Sequence, residues 1–214
     1  MATRSVFYIL DNSVVREDFV IKWINGLALS QKQKNVESLH HAIRERFSVE
    51  LDRVLEVSTK SKTEIGRLLS SFNLKLKIED FDYVFESVYQ SSKVFQDGLF
   101  DTFQHEEWMI LDGYEAKKQS QKIKLSLAEF RFNQRSFPLE PKTMFFDWLY
   151  ITCIEQYNLS FLISQYDYFT DIEFSPEKMV STQANALCKY KWLVEHDLVD
   201  KYLLDPIKYY KGGN

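Results

Sequence analysis

Between residues 31 and 47 the apolar positions Val36, Leu39, Ile43 and Phe47 recur every three or four residues, which is one face of an amphipathic helix. Before it, residues 6–10 and 19–24 are short runs of β-branched and aromatic side chains separated by the polar DNSVVRED, and they predict two strands. Residues 51–57 predict another. Ser61 and Glu64 have capping-box spacing ahead of Ile65, Leu68, Leu69 and Phe72, so a helix is expected from near Lys62 to near Ser71. Leu74, Leu76 and Ile78 alternate with polar residues up to Glu79-Asp80. A strand and turn should therefore lead into a helix from about Tyr83 to Gln96, closed by Asp97-Gly98. Residues 127–132 predict a strand, NQR a turn, and 137–141 an extended lead-in to the helix TMFFDWLYITCIEQ. That helix is apolar nearly all round, so it is expected at the centre of the core. A short helix at 159–165, the aromatic loop YDYFTDIEF and a helix starting at Ser175-Pro176 follow.

These elements predict a mainly α protein with small β elements, of class α+β. Only 6 Gly and 4 Pro in 214 residues agree with that and disfavour a turn-rich β sandwich. The length fits one large domain with an appendage: residues 1–50 as an N-terminal extension packed on the core, and 51–214 as the main domain. Lys and Arg number 27 against 31 Asp and Glu, a net charge of −4, which argues against a protein that coats DNA phosphates and confines any such contact to a local patch. The most basic stretch, YEAKKQSQKIK with Lys117, Lys118, Lys122 and Lys124, is either a solvated helix face or such a patch. Cys153 and Cys188 lie in apolar helical patterns and read as buried free thiols in a reducing compartment. With no signal-like start and no run of 18 apolar residues, a cytoplasmic protein without a membrane partner is expected.

The four histidines are scattered without ligand spacing, so no metal site is expected, and no phosphate-binding glycine loop or hydrolase elbow occurs. One constellation stands out. Glu86, Gln90 and Lys93 are spaced four and three apart, which places an acid, an amide and an amine on one side of a helix. By composition alone this is equally a solvated face with ordinary polar contacts.

The stretch LEVSTKSKTEIGRLLSSFNLKLKIEDFDYVFESVYQSSKVFQD, residues 55–97, resembles the core of the NADAR (YbiA-like) family. That core runs as a strand, an FYK-type turn, a Gly, an FSNF segment, a hairpin and a helix reading E-H-x-x-Q-x-x-K-F. Glu86, Gln90 and Lys93 fall on the E, Q and K of the helix, and Lys60, six before Gly66, falls on the Lys of the turn. Ser70 and Phe72 fall on the Ser and second Phe of FSNF, with Ser71 in place of Asn and Asn73 following. Through SQKQKNVESLH, FPLEPKTMFFDWLYI and YDYFTDIEFSPEK the rest of the chain is similar to the NADAR antitoxins paired with DarT-type toxins. The general family's WG and N-x-L-G segments are absent; TDIEF and STQANAL stand there, and Asp171, Glu173 and Gln183 are the candidates to replace those contacts.

The resemblance implies a single NADAR-like catalytic domain over 51–214 that cleaves an N-glycosidic bond to ribose, in the antitoxin group removing ADP-ribose from guanine bases in DNA. Its implied setting is a toxin–antitoxin system of phage defence. Such cleavage builds positive charge at the anomeric carbon and expels a poor nitrogen leaving group, which calls for a carboxylate and a proton donor. Glu86 supplies the first. Alternatively, a lysine amine kept neutral by burial attacks and forms a Schiff base with the opened ribose, and Lys60 and Lys93 are the candidates. Substrate contacts are expected from Ser70, Phe72, Asn73, Gln90, Trp148, Asp171, Glu173 and Gln183. No cofactor is implied. The expected partners are ADP-ribosylated DNA, preferably single-stranded, ADP-ribose as product, and the cognate toxin. Two other readings stay open: an N-glycosidase acting on a small ribosylated metabolite, and a catalytically silent protein that binds ADP-ribose or the toxin.

Overall fold

The computed structural model describes residues 1–97, 101–177, 179 and 182–209. In chain order its elements are β1 (Ala2–Leu10), β2 (Ser13–Ile21), α1 (Leu29–Phe47), β3 (Val54–Glu56), α2 (Glu64–Leu68), β4 (Lys75–Ile78), β5 (Phe81–Val84), α3 (Phe85–Ser91), β6 (Lys93–Asp97), β7 (Asp101–Gln104), α4 (Gly113–Lys122), β8 (Ser126–Phe132), β9 (Arg135–Phe137), α5 (Met144–Gln156), α6 (Ser160–Ser164), β10 (Tyr168–Thr170), α7 (Gln183–Glu195), α8 (Val199–Leu204) and α9 (Pro206–Tyr209). The class is α+β. Among the described residues no helix is long and apolar enough to cross a membrane.

Three sheets order these strands as β2-β1-β10-β3, β4-β5 and β7-β6-β8-β9. β1 and β2 close through Asp11 and Asn12, both at positive φ (48° and 62°), the conformation that lets a two-residue turn follow the twist of its strands. β1 is buried on both faces. Val6 and Tyr8 face α1, which lays Val36, Leu39 and Ile43 on them, while Phe7 points the other way into the main core. The N-terminal hairpin therefore enters the sheet itself, with β1 antiparallel to β10 and β10 parallel to β3. α5 fills the centre as its composition demands, burying Phe145, Leu149, Tyr150, Ile151 and Ile154, and α7 packs beside it. Cys153 and Cys188 are buried free thiols within this core.

Four expectations are corrected. The helix expected over 83–96 is short: β5 holds residues 81–84, α3 spans only Phe85–Ser91, and Lys93–Asp97 form β6. The expected stop at Gly98 lies outside the described residues. The Ser91 and Ser92 hydroxyls both donate to Val88 O at 2.9 and 2.7 Å, ending the helix, and the following Val94 and Phe95 pair with β8. Ser61 does not cap α2; Thr63 does, accepting from Gly66 N at 3.2 Å. The loop YDYFTDIEF contains β10, whose three residues bridge β1 and β3. The last long helix starts at Gln183 behind the cap Thr182 and not at Ser175-Pro176, because the continuous apolar face begins at Ala184.

Candidate active site

α3 is held at its start by Glu86 N donating to Ser71 O (3.0 Å) and at its flank by Ser87 Oγ donating to Leu111 O (2.7 Å). This fixes Glu86, Gln90 and the residue just past the helix, Lys93, against a cavity of about 1000 Å³. Glu86 and Gln90 are only 4% and 3% exposed, so the constellation is no solvated face. Gln90 Nε2 donates to Glu86 Oε1 at 2.8 Å, and Lys93 Nζ donates to Gln90 Oε1 at 2.6 Å. The amide is thereby oriented by an acceptor on one side and a donor on the other.

The opposite wall is α4, which also closes on this chain of groups. Lys93 Nζ donates to Ser120 Oγ at 3.2 Å, and Lys117 Nζ lies 3.8 Å from Glu86 Oε1 and 5.3 Å from the centre of the Phe72 ring. Tyr114 stacks on Phe72 with centroids 4.1 Å apart and planes 16° apart. The helix comes this near because its first residue is Gly113: a Cβ there would lie 2.9 Å from Glu86 Cβ and 3.1 Å from Phe72 Cδ1. Burial, reinforced by the Lys117 charge and opposed by Glu86, lowers the Lys93 pKa, which raises the neutral, nucleophilic fraction of its amine.

The far side of the cavity carries Asp171, Glu173, Thr182 and Gln183. Thr182 Oγ1 donates to Asp171 Oδ2 (3.1 Å) and Glu173 N donates to Asp171 Oδ1 (3.0 Å). Burial and the neighbouring Glu56 push Asp171 up to about 8. Glu56, raised mainly by its own burial, accepts from Ser58 Oγ, Thr170 Oγ1 and Ile172 N. In the unfolded chain Asp171 titrates near 3.8, so between that value and about 8 the unfolded state has lost a proton the folded state keeps, and rising pH favours unfolding. Melting temperature should accordingly fall as pH rises across this window and level off above it. Asp171→Asn should flatten the fall in melts at pH 5, 7 and 9, and an unchanged slope in the variant would refute this ionisation.

The structure thus brings Phe72, Glu86, Gln90, Lys93, Asp171, Glu173 and Gln183 to one cavity. Lys60 stands behind Glu173, with its Nζ donating to Thr59 Oγ1 at 2.6 Å and 3.6 Å from Glu173 Oε1. Gln183 also ties the scaffold, donating to Val57 O and accepting from Ser71 N. Three further candidates do not line the cavity. Ser70 is buried, Asn73 Nδ2 donates to Arg67 O at 2.8 Å, and Trp148 packs on Phe137 with its Nε1–H on Leu203 O. Sequence reasoning missed Tyr114, Ser120 and Glu56, and it left Lys117 undivided within its basic stretch. The signal for α4 was there: Tyr114, Lys117, Lys118 and Gln121 have the i, i+3, i+4, i+7 spacing of one helix stripe, and all four line the cavity. Among the described residues no cluster of His, Cys, Asp and Glu is arranged to hold a metal ion.

A family model described as DarT1-associated NADAR antitoxin matches residues 2–213. No curated protein matches the chain.

Proposed function

Since the chain belongs to the family of DarT1-associated NADAR antitoxins, which gives it a DarT1-type toxin as its counterpart, we propose that it is an N-glycosidase that removes ADP-ribose from guanine bases in DNA. The observation that carries this reading is the buried Glu86–Gln90–Lys93 chain opening on a cavity large enough for a nucleotide-sized ligand. Lys93 acts as the nucleophile. Its neutral amine attacks the anomeric carbon, the bond from that carbon to the guanine nitrogen breaks, and the ribose ring opens to a Schiff base. The two amine protons end on the departing base and on the former ring oxygen. Water then adds to the imine, releasing ADP-ribose and restoring the amine.

Glu86 faces the positive charge that develops at the anomeric carbon and relays protons, and Gln90 holds the acid and the amine in register. Lys60, paired with Glu173, serves as a charge at the far wall. The stacked Phe72 and Tyr114 rings offer an aromatic surface to a purine. The test is to incubate an oligonucleotide bearing ADP-ribosylated guanine with the pure protein and follow both products. Free ADP-ribose with an unmodified oligonucleotide is the expected result. Tight binding without release would replace this reading with that of a silent ADP-ribose-binding protein.

A further inference from the structure

α4 presents more than the cavity wall. Tyr114, Lys118, Gln121 and Lys122 form a stripe of exposed side chains along it; the first three line the cavity rim, and Lys122 lies one turn beyond Lys118, outside the cavity. Tyr114 is 61% exposed: one ring face lies on Phe72, and the other is open. Lys118 and Lys122 sit one helical turn apart and are themselves exposed, with half-buried partners: Lys118 lies 3.6 Å from Glu115, and Lys122 donates to Gln119 at 3.1 Å. Surface contacts of this kind are worth at most about 1 kcal/mol, so an incoming phosphate displaces them at little cost. On a chain of net charge −4 this is a local basic stripe with an open aromatic ring at the end beside Phe72 and Glu86.

We propose that this stripe docks the single polynucleotide strand that flanks the modified base, with a flanking base stacked on the outer face of Tyr114 and successive phosphates on Lys118 and Lys122. The inference rests on the reading of ADP-ribosylated DNA as the substrate. A strand that stacks its bases on an aromatic ring and runs its backbone along lysines needs those two features side by side, and a base already free of a duplex avoids the cost of extraction. Lys117 belongs to the reacting centre and not to the stripe, because its ammonium is turned to Glu86.

The test compares wild type with the double variant Lys118→Gln/Lys122→Gln on a modified single-stranded oligonucleotide, and with Lys122→Gln on both that oligonucleotide and the modified mononucleoside. For the oligonucleotide KM should rise about tenfold, and the slope of log affinity against log salt should shrink by about 1.4, the contribution of two phosphate contacts on a single strand. Mononucleoside turnover is read on Lys122→Gln alone, because Lys118 lines the cavity, and it should not change. An unchanged oligonucleotide KM in the double variant, or equal losses on both substrates in Lys122→Gln, would overturn the proposal. Fluorescence anisotropy with an unmodified single strand at low salt decides the matter independently of turnover. If wild type releases ADP-ribose from neither substrate, the proposed activity fails, yet loss of strand binding in the double variant still supports the stripe. Retained strand binding with lost toxin binding would assign the stripe to a protein partner and overturn it.

Discussion

Lys93→Met should lower the rate of ADP-ribose release by at least about a hundredfold, the range for losing a nucleophile or proton-transfer group, while leaving the fold intact. Methionine keeps an unbranched apolar stem beside the Tyr89 ring, which lies 5.4 Å from Lys93 Nζ, and removes only the amine. Gln90 Oε1 and Ser120 Oγ then lose a donor at the edge of an open cavity, where water replaces it. Single-turnover rates on a modified oligonucleotide, with a melting curve on the same sample, separate chemistry from stability. Lys60→Ala is the comparison. Its amine is engaged with Thr59 and Glu173 and reaches no group of the Glu86–Gln90 pair, so its removal should cost about tenfold, as for a lost electrostatic contact. A Lys93→Met variant retaining more than a tenth of the wild-type rate at an unchanged melting temperature would remove Lys93 from the reacting centre.

The largest effect on stability is expected at Lys189→Met, which should destabilise the fold by roughly 3–5 kcal/mol. Lys189 and Asp147 form an ion pair at 2.9 Å with side chains 3% and 0% exposed, between the two helices that build the core, α7 and α5. Thr143 Oγ1 adds a donor to the same carboxylate oxygen at 2.9 Å. Removing the ammonium alone leaves a carboxylate buried without its counter-charge, and the penalty comes from that stranded group. For a chain of this length the loss corresponds to roughly 10 °C in melting temperature. The double change Lys189→Met/Asp147→Leu should recover most of it, since an apolar pair of similar volume avoids the desolvation of both ions. A single variant that melts within about 2 °C of wild type would show that the pair is not the buried bridge described.

The parts of the fold that were legible in the sequence are those whose pattern is local. α1 follows from Val36, Leu39 and Ile43, α5 from an uninterrupted apolar run, and the presence of two N-terminal strands from two β-rich segments. Residues 13–18, read as a polar separator, nonetheless belong to β2 through their pairing with β1 and leave only Asp11 and Asn12 as the turn. β10 was not legible, because a three-residue strand carries no period and Tyr168–Thr170 becomes a strand through pairing with β1 and β3, both remote in sequence. The change from α3 to β6 at SSKVF was hidden for a related reason: Val94 and Phe95 fit a helix pattern as well as a strand, and β8 decides between them. The site divides along the same line. Glu86, Gln90 and Lys93 share one segment, and their spacing survives the end of the helix because the turn at Ser92 is still right-handed. The spacing of Tyr114 and Lys117 marks a helix stripe, but what that stripe and Ser120 meet is set only once Gly113 brings α4 onto α3, a tertiary contact that residue spacing does not encode.

The central claim is that the Lys93 amine forms a Schiff base with the ribose it cuts from guanine, and borohydride quenching tests it most directly. Protein mixed with ADP-ribosylated oligonucleotide and reduced during turnover should yield a stable secondary amine, and peptide mass spectrometry should place the ADP-ribose-derived adduct on Lys93. Full turnover with no adduct, or an adduct on Lys60, would contradict the claim.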